Sequence, residues 1–110
     1  MQLSAYRLTV LFLSSLVRPE KKELLQFLTQ IKSKWPEIGM ALDVSSDDRE
    51  SIRRVPQSDV ICLDAVLQIW MDRDESVTWQ VVIEALEGSI VGNPRIAKEI
   101  KESLGIVPGT

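Results

Sequence analysis

Apolar residues recur along this chain at helical spacing from Leu24 to Leu104. Leu24, Phe27, Leu28 and Ile31 fall at i, i+3, i+4 and i+7, which puts them on one face of a helix beginning after Pro19. Ser33 is placed to cap a second helix, with Pro36 accommodated in its first turn and Trp35, Ile38, Ala41 and Leu42 facing inward. Gly39 weakens that helix by up to about 1 kcal/mol relative to alanine. It either permits a close helix approach or is simply tolerated. Ser45-Ser46-Asp47-Asp48 is a strong start signal for a third, short helix running to about Arg54. Ile52 is the main apolar residue of that helix, so it must be pinned from one side.

Residues 59–73 give the clearest helix. Leu63, Val66, Leu67 and Trp70 form its stripe, widened by Val60 and Ile69, and Ser58 stands ready to cap it. Thr78 is the expected cap of the next helix, with Trp79, Val82, Ile83 and Leu86 inward. Gly88 and Gly92 bracket a turn. Asn93-Pro94 then supplies a cap followed by proline at the first helical position. Ile96, Ala97, Ile100 and Leu104 complete the last inner face, stopped by Gly105 and Pro108. No segment alternates with period two for long, which argues against a sheet. The expected fold is all-α, an antiparallel bundle of about six short helices. Residues 20–107 form the bundle, 1–19 an apolar N-terminal extension and 108–110 a tail. Trp35, Trp70 and Trp79, on three different inner faces, are read as core anchors rather than ligand-stacking surfaces.

The N-terminal extension changes the picture at one end. Residues 8–17 are mostly apolar, too short to span a bilayer as a helix, which takes about 20 residues. Arg18-Pro19-Glu20 follows without a small-x-small cleavage pattern. The segment is read as a packing helix or accessory segment in preference to a secretory leader.

The absences in the composition narrow the chemistry. The 110 residues contain no histidine, so the usual general base and commonest metal ligand are missing. The single cysteine, Cys62, excludes an internal disulfide and a multi-thiolate site. Its place in Val60-Ile61-Cys62-Leu63 predicts a buried structural thiol in a reduced, intracellular setting. The net charge of −3 argues against a general nucleic-acid binder. Residues 1–58 carry nine Lys/Arg against seven Asp/Glu, whereas residues 59–110 carry four against nine. That asymmetry is compatible with docking between unlike faces but decides nothing alone.

Several stretches resemble the death-domain family. Trp35-Pro-Glu-Ile-Gly-Met-Ala-Leu42 is similar to its second helix, and Asp48 to Ile52 to its short polar third helix. Leu67-Gln-Ile-Trp-Met-Asp-Arg73, followed by Thr78-Trp-Gln-Val-Val-Ile-Glu-Ala-Leu86, resembles its strongest signature: a tryptophan closing helix four, then Thr-Trp-x-x-Leu-x-x-Ala-Leu. Val91-Gly-Asn-Pro-Arg-Ile-Ala-Lys-Glu-Ile100 is similar to its closing helix. The resemblance covers about residues 22–105 and lies in the order and spacing of the pieces. Val82 and Ile83 stand around a position where leucine is usual, and residues 8–17 fall outside the pattern.

The resemblance implies a six-helix Greek-key bundle without catalysis, cofactor, metal, small-molecule substrate or nucleic acid. Such domains bind one another and build signalling platforms in apoptosis and innate immunity. Other death-fold domains are thus the expected partners, in the cytoplasm, with homo-oligomers possible and a membrane not expected. The basic candidates for contact are Arg49, Arg53 and Arg54, with Arg95 a weaker one. The acidic candidates are Asp72, Asp74, Glu75, Glu84 and Glu87. For each residue the bland alternative is a solvated charge that keeps the protein soluble. Reversing Arg53 and Arg54 to glutamate is expected to abolish a complex with little change in melting.

An enzyme using Asp47/Asp48 or Asp72/Asp74 would have no histidine, no Gly-rich phosphate loop and no metal-ligand spacing to support it. DNA binding through Arg49, Arg53 and Arg54 lacks the charge density of a recognition helix. An unrelated helical module docking to a partner or membrane surface through residues 8–17 is the main alternative.

Overall fold

A computed structural model describes residues 16–73 and 77–105. Among these residues every regular element is helical. The α-helices are α1 (Lys21–Leu28), α2 (Trp35–Ala41), α3 (Ser46–Arg54), α4 (Asp59–Met71), α5 (Trp79–Glu87) and α6 (Pro94–Ser103). A 3₁₀ segment, Thr29–Lys34, joins α1 to α2, and the helical path bends within it at Ile31 (φ −124°, ψ 35°). Helices α1 and α2 are thus separate, as expected, and are joined without a loop across the non-helical residue Ile31. This corrects the expected cap at Ser33. That residue lies inside the 3₁₀ turn, and Lys34 precedes α2 without a side-chain cap. Helical backbone enters Trp35 from behind, so few amides are left for a cap to satisfy.

The other caps form as the sequence predicts, because an N-cap is decided within four residues. Ser45 Oγ accepts from the Asp48 amide at 3.1 Å and Ser58 Oγ from Ile61 at 3.4 Å. Thr78 Oγ1 accepts from Val81 at 3.3 Å and Asn93 Oδ1 from Ile96 at 3.2 Å. Gly92 takes the left-handed conformation (φ 62°) and donates its amide to the Gly88 carbonyl at 2.8 Å, which closes the α5–α6 turn.

The stripes converge on one interior. Leu24, Leu63, Val66, Leu67, Ile96, Ala97 and Ile100 are fully buried, and Trp35, Trp70 and Trp79 are 6%, 2% and 3% exposed. Phe27 of α1 meets Trp79 of α5 edge-on, with ring centroids 6.0 Å apart. Helix α4 is the hub: α1, α2 and α3 all pack on it, while α5 packs on α2 and α6. Gly39 settles between its two readings in favour of close approach. A Cβ there would stand 3.0 Å from Arg49 Cδ and 3.3 Å from Val66 Cγ1, so the absent side chain lets α2 lie against both α3 and α4. Val60 departs from its predicted place in the α4 stripe and is 38% exposed. It falls in the first turn, where the periodicity continues but covering side chains do not.

Of the apolar N-terminal run, only Leu16 and Val17 are described, and both are exposed. The remaining expectations for residues 1–15 lie outside the described residues. Just beyond the run, the chain is fastened to the bundle. The Val17 carbonyl accepts from the Trp79 amide at 3.1 Å, an amide at the start of α5 with no intrahelical partner. Arg18 donates to the Met71 carbonyl at the end of α4, and Pro19 is fully buried. Among the described residues no helix is long and apolar enough to cross a membrane.

Candidate interaction surface

With the large apolar side chains turned inward, the groups left to meet a partner are the charges, the uncovered aliphatics and one groove. The predicted basic cluster is on α3 but is not a uniform patch. Arg49 is half-buried: its Nε donates to the Val44 carbonyl at 3.2 Å and its stem lies against Gly39. It holds the α2–α3 turn together more than it faces solvent. The Arg53 guanidinium stacks over the Trp35 ring, 5.6 Å from the centroid. Such a contact is worth about 0.5–1 kcal/mol at an exposed site. Reversing Arg53 therefore costs stability, contrary to the expected silent change. Arg54 is exposed in the last turn of α3 and is the unencumbered member of the three.

The acidic candidates are scattered. Asp72 accepts from Gln68 Nε2 at 2.8 Å, one turn back on α4. Glu84 accepts from Gln80 Nε2 at 2.9 Å on the outer face of α5. Glu87 pairs with Lys101 at 2.6 Å, tying α5 to α6. Asp74 and Glu75 lie outside the described residues. Arg95 pairs with Glu99 at 3.4 Å and reaches Gln30 at 3.4 Å. These are surface contacts, each worth about 0–1 kcal/mol. Glu84 and Glu87, three residues apart, share one side of α5, whereas Asp72 lies at the end of α4.

The fold also creates a feature that no local sequence pattern announced. An open groove of about 430 Å³ runs between α2 and α5, lined by Ala41, Val81 and Ala85, by Gly88, Ser89 and Ile90 of the following turn, and by the acidic residues Asp43 and Glu84. Asp43 sits just past α2 with φ 62°. A left-handed conformation favours glycine and costs other residues about 1 kcal/mol. An aspartate held there keeps a carboxylate at the groove where a glycine would be easier. Nearby, Arg73 donates to the backbone carbonyls of Leu42 and Asp43, fixing that turn from behind.

A second uncovered surface lies where α3 ends and α4 begins. Val55, just past α3, is 56% exposed, and Val60 and Ile61 in the first turn of α4 are 38% and 53% exposed. Sequence reasoning missed Asp43, Val55, Ile61 and Ile90. The groove is made by two helices far apart in the chain, and Val55 and Ile61 read locally as ordinary loop and helix residues.

Cys62 is buried at the foot of the α4 stripe. Burial pushes its thiol above the ordinary value of 9.0, the Asp59 carboxylate pushes the same way, and a hydrogen bond with Gln57 opposes them. The neutral thiol is therefore favoured, the behaviour of a packing residue. Among the described residues no group of three or more potential ligands is placed to hold a metal ion. Compared with known protein families, curated proteins and solved structures, the chain matches none.

Proposed function

We propose that the chain is a death-domain-like interaction module, a six-helix Greek-key bundle that docks onto other bundles of its kind without catalysing a reaction. In this reading it serves as an adaptor or oligomerisation unit in apoptotic or innate-immune signalling, in the cytoplasm. One observation carries the proposal. The residues that bear the family resemblance occupy interior and capping positions of successive helices, in the family's order. Trp35 and Leu42, then Trp70, then Trp79 and Leu86, then Ala97 and Ile100 are all buried, and Thr78 caps α5 between them.

A bundle whose tryptophans and most large aliphatic groups are buried in its own interior has its charged surface left for recognition. That surface carries exposed arginine on α3 and exposed carboxylates on α4 and α5. Opposite charges on separate faces steer association and set its partners more than they raise affinity. The resulting complexes weaken as salt rises, because exposed pairs are screened over about 10 Å at 0.1 M ionic strength.

The test is a titration of the isotopically labelled chain with isolated death-fold domains of each class and with unlabelled copies of itself, followed by amide shifts. At least one partner is expected to perturb exposed residues around Arg54 or Glu84 while the buried tryptophans keep their shifts. Absence of binding to every helical-bundle partner at concentrations near 1 mM, where only interactions weaker than about −4 kcal/mol escape detection, contradicts the proposal.

A further inference from the structure

One wall of the groove and the point where the N-terminal chain joins the bundle belong to the same helix. Val81, Glu84, Ala85 and Gly88 stand at i, i+3, i+4 and i+7 along α5 and its cap, and line the groove from that side. Ala41 and Asp43 line it from the α2 side. Two residues before Val81, the Trp79 amide donates to the Val17 carbonyl at 3.1 Å. The chain preceding Val17 therefore arrives at the start of α5, at one end of that stripe. Leu16 and Val17 are exposed there, as is Ile90 in the turn beyond the other end.

We infer that residues 8–13 of this same chain lie in the groove, running back along α5 over its apolar lining, with Arg7 against the carboxylates of Glu84 and Asp43. Reach permits it. Trp79 to Gly88 spans about 14 Å at the helical rise, and residues 8–17 cover about 15 Å as a helix and about 33 Å extended. Seven of those ten residues are Leu, Val or Phe, a contiguous apolar surface that is costly to leave in water. Arg7 is the one charged side chain in residues 1–15, and the groove offers it two carboxylates. Arg73 does not take them up, since it donates to the backbone carbonyls of Leu42 and Asp43. Glu84 accepts from Gln80, and a carboxylate has room for further donors.

A segment tethered at Val17 meets the groove at an effective concentration of about millimolar, which favours it over a free partner or a second copy. The exposed aliphatics Val55, Val60 and Ile61 are a poorer seat. They lie where α3 meets α4, and α3 makes no contact with α5. While seated, the segment withholds the groove from partners, and its own apolar side chains from a membrane or another protein. The inference does not rest on the interaction-module reading.

A nitroxide on Ser4→Cys in the full chain tests the contact through amide line broadening. Buried Cys62 stays in place, and the parent chain carried through the same labelling controls for reaction there. The amides of Val81, Ala85 and Ile90 should lose most of their intensity, while those of Arg54 and Val55 keep theirs. Dilution should change nothing, because the contact is within one chain. Adding Arg7→Glu should restore the groove intensities severalfold, since like charges then face each other. Adding Glu84→Arg to that variant should broaden them again. The dispersion of the amide spectrum checks that each variant folds.

Groove amides that keep their intensity, or broadening that ignores Arg7→Glu, overturn the inference. So does broadening of an isotopically labelled chain by a nitroxide on a separate chain mixed with it, which would seat a second copy in the groove.

Discussion

Helices α3 and α4 are neighbours in the chain and pack on each other, yet they are built for different tasks. Of the nine residues of α3, Ile52 is the buried one. Helix α4 buries Cys62, Leu63, Val66, Leu67 and Trp70 and receives α1, α2 and α3. What holds α3 is mostly its ends: the Ser45 cap, acidic residues in the first turn, arginines in the last, and Arg53 over Trp35. Caps and dipole contacts are worth about 1 kcal/mol or less apiece, whereas one buried leucine is worth several times that. The difference teaches where stability and recognition are kept. An element that contributes little to the interior can carry charge for a partner, and one at the hub cannot.

The sharpest way to break this comparison is truncation on both sides of it. Leu63→Ala, at a fully buried position, is expected to cost about 3–5 kcal/mol, and Ile52→Ala, at the rim, about 2 kcal/mol. Denaturant unfolding of both variants checks the order, and equal costs would mean that α3 belongs to the hub. Next in size is Gly39→Leu, which drives a side chain into Arg49 and Val66 where α2 meets both helices. The expected loss is about 1–3 kcal/mol, measured by the same unfolding.

Much of this organisation was legible in the sequence because it is decided locally. Ser45, Ser58, Thr78 and Asn93 each cap the helix that follows them, and the three tryptophans are inside. Features set by tertiary approach were not legible. Ser33 resembles a cap, but it lies inside the kinked 3₁₀ segment that leads from α1 into α2, where no helix begins. Val60 obeys the α4 period yet finds nothing to cover it. Arg49 reads as free charge but is drawn against Gly39 by a contact between helices. The acidic groove depends on α2 meeting α5 and on the left-handed turn at Asp43, neither of which has a short-range signature.

The smallest expected effect concerns Cys62 at the start of the hub. Because burial raises its folded thiol above 9.0, the unfolded chain loses the proton first as the solution is made alkaline. The thiol's contribution is fully present below that pH and is lost as pH climbs through the raised folded value. Stability of the wild type should thus fall more steeply above about pH 9 than that of Cys62→Ala. Parallel slopes would mean that the thiol is open to solvent.

One interior, centred on α4, carries the stability, while α3 is held lightly to its side. Native-state hydrogen exchange read residue by residue tests this most directly. Amides around Leu63, Val66 and Leu67 are expected to open only with global unfolding, while those of Arg49 to Arg53 open by a local, lower-energy route. Equal protection of the two helices, or faster exchange in α4, would contradict it.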